Sequence, residues 1–192
     1  MNDIAKLGDS ILSHLHRLKR PVVNLLNSPL NHNSIKSYEQ EFPFKFPHCL
    51  RNLYSWKNGT EVRKGSALDD LHLFPGFYFL SMKDALAYYQ NFLGDARWNS
   101  NWFPVFANGG GDFYCVHCEP TNLEKCTVLG FLLGEPETEI EFLSIHSLFE
   151  TINEAFEERV YFVDNRGYLE ANSIFEIEIA QKRNPGVDYW DK

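Results

Sequence analysis

The sequence predicts an α+β fold: a central, mostly antiparallel sheet flanked by helices, with an N-terminal helical extension. Three observations carry that prediction. Ile4, Leu7, Ile11, Leu15 and Leu18 recur at helical spacing. Residues 102–143 read as consecutive short strands joined by turn chemistry. A further helical stripe follows at Leu148, Phe149, Ile152 and Phe156. Helices, then a meander, then helices is the α+β order, not the strict alternation of parallel α/β proteins.

The elements follow in order. The first helix runs through residues 3–18 and stops at Pro21. Residues 27–34 have turn chemistry and read as a loop, so residues 1–30 are an extension and 31–192 the main domain. Ile35, Tyr38 and Phe42 suggest a short helix broken at Pro43. Pro47 suits the first turn of another, whose inward residues are Leu50, Leu53, Tyr54 and Trp56 and whose end is Asn58-Gly59. Residues 71–74 and 77–80 read as strands around Pro75-Gly76. Ser81 caps the next helix, with Asp84 three residues on and Ala85, Leu86, Tyr89 and Phe92 on its apolar face.

Strands are expected at 102–107, 112–119, 128–133 and 137–143. Asn108, Gly109, Gly110 and Gly111 form the hairpin loop between the first two, because glycine supplies positive φ angles. In the last strand Glu137, Glu139 and Glu141 alternate with Thr138, Ile140 and Phe142, which puts the carboxylates on a wet face and the apolar residues on the core. Ser147 to Glu150 reads as a capping box. The tail, 173–192, adds a helix followed by Asn184, Pro185, Gly186 and an aromatic end, Tyr189-Trp190.

Composition narrows the function classes. The chain of 192 residues is 44% hydrophobic and 23% charged, which excludes a fully disordered chain. Lys plus Arg is 18 and Asp plus Glu is 26, a net charge of -8. Without a larger basic cluster than Arg17, Lys19 and Arg20, nucleic acid is a poor partner and a basic protein a better one. No apolar run is long enough to span a membrane. Residues 1–6 do not read as an export signal, so the cytoplasm is the default compartment and Cys49, Cys115, Cys118 and Cys126 are expected to be free thiols.

The chemical motifs resolve mostly to structure. Cys115 and Cys118 lie on an expected strand, where positions three apart face opposite ways, and no second pair completes a zinc ribbon. The glycine loop precedes no helix and has no lysine, so it is a hairpin, not a phosphate cradle. Neither a His-Glu-x-x-His pattern nor a Gly-x-Ser-x-Gly elbow is present. No metal, cofactor or catalytic set is therefore expected, and an enzyme using residues 112–118 is the weakest reading. The row Glu135, Glu137, Glu139, Glu141 stays open between a solvated face and an interface for a basic partner. Trp98 and Trp102, in a polar stretch, either close the core or anchor an interface.

Several motifs together carry a resemblance. Phe46-Pro47 opens a helix ending in Trp56, Lys57, Asn58 and Gly59. Trp102-Phe103-Pro104 leads through the glycine loop to Asp112, Phe113 and Tyr114. A strand with Gly130, an acidic strand and residues 147–152 follow. This order, from about Ile35 to Phe156, resembles the SUKH superfamily, which includes bacterial immunity proteins and Smi/Knr-type regulators of cell-wall synthesis. The resemblance implies an antiparallel sheet flanked by helices and a non-catalytic protein-binding module. The partner it implies is a polymorphic or contact-dependent toxin domain, often a basic nuclease. The alternative is a regulatory scaffold in cell-wall synthesis or stress signalling. The contact residues expected on this reading are Trp98, Trp102, Asp112, Tyr114, Glu137, Glu139 and Glu141.

Overall fold

The computed structural model describes residues 3–119 and 121–191; Met1 and Asn2 of the expected extension and Lys192 of the expected domain lie outside them. Helix α1 (Asp3–Arg17) forms where the apolar spacing is helical, and buries Ile4, Ile11 and Leu15. Pro21 starts a short 3-10 turn, Pro21–Asn24. Helix α2 (His32–Glu39) begins inside the stretch expected to be a loop, because the Asn31 side chain accepts the Ser34 amide at 2.9 Å and caps it. Helix α3 (His48–Trp56) has Pro47 at its cap, one position before the first turn.

Residues 71–80 do not make two full strands. Leu68–Leu71 is a 3-10 turn, Phe74 and Phe77 form one isolated bridge, and only β1 (Tyr78–Phe79) joins the sheet. Leu71, Leu73, Phe74, Phe79 and Leu80 are all buried. An apolar run of that kind marks burial without distinguishing strand from turn, and Pro75 has no N–H for a ladder. Helix α4 (Met82–Phe92) starts at Ser81, whose Oγ accepts the Asp84 amide at 3.1 Å.

The sheet continues through β2 (Trp102–Ala107), β3 (Phe113–His117), β4 (Val128–Phe131) and β5 (Glu139–Phe142). Its order is β1-β2-β3-β4-β5 with every pairing antiparallel, so β5 is an edge. The β2–β3 loop has Gly109 at φ 78° and Gly111 at φ 108°, and Asn108 Oδ1 accepts the Gly110 amide at 2.7 Å. Helix α5 (Ile145–Glu157) is capped reciprocally by Ser144 and Ser147, three residues before the expected box. A hairpin of β6 (Tyr161–Val163) and β7 (Leu169–Ala171), absent from the sequence expectation, leads to helix α6 (Ser173–Arg183).

Cross-strand partners share a sheet face. Phe79 and Phe106 are partners on one face, where Phe79 meets Tyr54 and Trp56 of α3 and Phe106 meets Phe149 of α5. Phe113 and Phe131 are partners on the other, where Tyr88 and Phe92 of α4 lie 5.0 and 5.1 Å from the Phe113 ring. Helix α1 packs on α3 and α5.

The expectation of four free thiols is corrected. Cys49 of α3 is disulfide-bonded to Cys126, 77 residues away, while Cys115 and Cys118 are free and buried. The packing of α3 beside the segment before β4 creates that proximity, and His48 N–H donates to the Leu123 carbonyl at 3.0 Å in the same place.

Candidate functional site

The acidic strand departs from simple alternation. Gly130 pairs with Glu139 and Leu129 with Ile140, but Val128 pairs with Phe142, so the register shifts by one residue across Glu141. An extra residue in one strand reverses which side chains face inward beyond it. The expected wet face and core are therefore corrected at two positions: Glu141 is 3% exposed and Ile140 is 47% exposed. Glu137 remains exposed, Glu139 is half-buried and Phe142 is buried.

The Glu141 carboxylate lies over Gly130. A Cβ on Gly130 would stand 1.8 Å from Glu141 Oε1, so the glycine supplies the space. Tyr114 O–H donates to Glu141 Oε2 at 2.9 Å, and the Trp190 indole N–H donates to the Glu141 carbonyl. Burial, with help from the negative charges of Glu139 and Glu176, pushes the Glu141 carboxyl up to about 7; the Tyr114 bond opposes this but does not win. Burial and the neighbouring Glu141 charge push the Tyr114 hydroxyl well above its ordinary range. Glu176, on α6, accepts from Tyr161 O–H at 2.5 Å and is also raised by burial.

A pocket of about 250 Å³ opens here, lined by Glu135, Glu137, Glu139, Glu141, Gly130 and Tyr189 among others, and by no Lys or Arg. The field of such a lining is negative and favours cations over anions. No group of three or more described His, Cys, Asp or Glu residues is arranged to hold a metal ion.

The structure divides the seven sequence-predicted residues between the two sheet faces and a loop. Glu137, Glu139 and Glu141 gather at the pocket, with Tyr114 behind Glu141. Trp98 is buried and Trp102 half-buried on the other face, their rings 5.2 and 6.4 Å from Phe131. Arg97 lies over the Phe131 ring at 5.1 Å and donates to the carbonyls of Leu133 and Glu135. Asp112 secures the hairpin loop: its Oδ1 accepts the Leu133 amide at 2.8 Å and its Oδ2 accepts from Asn108 Nδ2 at 2.5 Å.

Sequence reasoning did not assign Gly130, Tyr189 or Glu176 to this region. The aromatic C-terminal end was the one available signal for Tyr189; an acidic residue on an expected helix, with Glu178 two positions on, gives none for Glu176.

The SMI1 / KNR4 family (SUKH-1) matches the chain over residues 29–158, a span that includes the acidic strand and excludes α1, the β6–β7 hairpin and α6. No curated protein matches the chain.

Proposed function

The chain belongs to the SMI1 / KNR4 family (SUKH-1), and on that premise we propose that it is a non-catalytic immunity module that binds and neutralises a basic toxin domain through the acidic pocket beside β5. Domains of this family are typically protein-interaction modules. The observation that carries the reading is Glu141: a carboxyl whose burial opposes its ionisation, placed in the wall of a pocket lined by three further glutamates. Perturbed ionisable groups in clefts mark functional sites more often than packing alone explains. A lysine or arginine entering the pocket would favour the ionised form and offset the desolvation.

Two outcomes are expected. First, binding of the basic partner is coupled to loss of the Glu141 proton, so affinity rises about tenfold between about pH 6 and about pH 8 and Glu141→Gln removes that rise. Isothermal titration in buffers of different ionisation enthalpy reads the proton directly; pH-independent binding would separate Glu141 from the interface. Second, Glu137→Lys with Glu139→Lys lowers the association rate about tenfold and weakens its salt dependence. Unchanged rates and unchanged protection of cells would place the contact elsewhere. The partner is obtained by capture from the source cells at low and high salt. Several weakly held wall-synthesis or signalling proteins in place of one basic domain would favour the scaffold reading.

We also place this action in the cytoplasm. No described helix is long and apolar enough to cross a membrane. The Cys49–Cys126 bond is of a kind that oxidising compartments preserve. Cytoplasmic action therefore requires Cys49 and Cys126 to be reduced in intact cells, which alkylation before lysis would reveal. Finding them oxidised there would move the site of action to an oxidising compartment.

A further inference from the structure

Two grooves lie side by side where α1, α5, the β6–β7 hairpin and α6 meet. The larger, about 570 Å³, includes His14, Arg17 and Glu157 in its lining. The smaller, about 420 Å³, includes Glu158 and Glu178. Arg159 and Phe162 line both and so stand between them. Neither groove shares a lining residue with the acidic pocket.

The surface around them is apolar and open. Phe162 is 39% exposed, Phe175 of the smaller groove 52% and its neighbour Ile174 68%. Single exposed apolar residues are ordinary, but a cluster that includes two phenylalanines beside two grooves marks an association surface. The charge is arranged in opposite senses on the two sides. The larger groove is basic, with Arg17 and Arg159 against Glu157; the smaller is acidic, with Glu158 and Glu178 against Arg159. Among the described residues neither Arg159 nor Glu178 is in an ion pair. Arg159 also holds a left-handed backbone at φ 59°, just after α5, where glycine is the usual residue and a side chain costs about 1 kcal/mol.

A partner of a single charge sign would complement one groove and oppose the other. A second copy of this chain complements both, because a twofold axis running between the grooves brings this face against its own copy and sets the basic groove of one copy on the acidic groove of the other. We propose that this face is a self-association surface, in which two copies pair about Phe162 with Arg159 of each meeting Glu178 of the other.

The test is sedimentation equilibrium of the full chain from about 1 to about 100 µM at moderate salt. A reversible monomer–dimer equilibrium is expected. Phe175→Glu, at an exposed position, should leave the circular dichroism spectrum unchanged and raise the dimer Kd at least about tenfold. Arg159→Glu should weaken the dimer similarly, and Arg159→Glu combined with Glu178→Arg should restore it to within about threefold of the unaltered chain. A monomer at every concentration would overturn the proposal. So would a dimer insensitive to both single changes, or a charge-swapped chain no tighter than Arg159→Glu alone.

Discussion

Glu141→Gln is expected to stabilise the protein by about 3 kcal/mol at about pH 8 and to leave its stability at about pH 4 nearly unchanged. Below the carboxyl's ordinary value of 4.5 the group is protonated in both folded and unfolded chains, and its burial carries no charge penalty. Between 4.5 and about 7 the unfolded chain ionises while the folded chain holds the proton, so stability falls as pH rises. Above about 7 the folded protein carries a buried carboxylate, and the whole penalty is present. Gln can still accept from Tyr114 O–H and has no charge to desolvate. Urea unfolding across this pH range would read the effect, and the slope that survives the substitution belongs in part to Glu176, which burial shifts in the same direction. A variant that unfolds with the same pH dependence as the unaltered chain would show that Glu141 is not the buried acid. Together with the pH dependence of partner binding, the experiment asks whether one residue lowers stability and raises affinity.

Ile11→Ala is expected to cost about 2–5 kcal/mol, the range for a large aliphatic side chain removed from a close-packed interior. Ile11 is fully buried on α1, a helix outside the span matched by the family. The contact around it leaves little slack. A Cβ on Gly8 would come within 2.4 Å of the Trp56 ring, and Trp56 Nε1 donates to Asp9 Oδ1 at 2.8 Å. His14 of the same helix stacks on Phe156 at 5.7 Å. Chemical denaturation compared with Val62→Ala, an exposed position expected to change stability by no more than about 0.5 kcal/mol, gives the measurement its scale. A loss as small as that control's would mean that α1 is detachable from the core.

Where an element's cause lies within a few residues, the sequence was sufficient. The spacing from Ile4 to Leu15 gives α1, Ser81 and Asp84 give the start of α4, and the Asn108 loop gives the β2–β3 hairpin. Each rests on a period, a cap or a turn that acts over one or two turns of chain. The capping box of α5 was three residues out because Ser144 and Ser147 compete with Ser147 and Glu150 for the same local motif. The β6–β7 hairpin escaped because Tyr161–Val163 and Leu169–Ala171 are too short to show a period.

By itself, then, the sequence determined the α+β class, most helix starts, the family resemblance and the acidic character of the strand at 137–143. Tertiary structure alone decided which of those acids is buried, which cysteines are joined and what surrounds Trp98. The reason is the same for all three. A register shift, a disulfide across 77 residues and the rings of Phe92 and Phe131 against Trp98 depend on what another strand or helix places alongside, and no window of neighbouring residues contains that information.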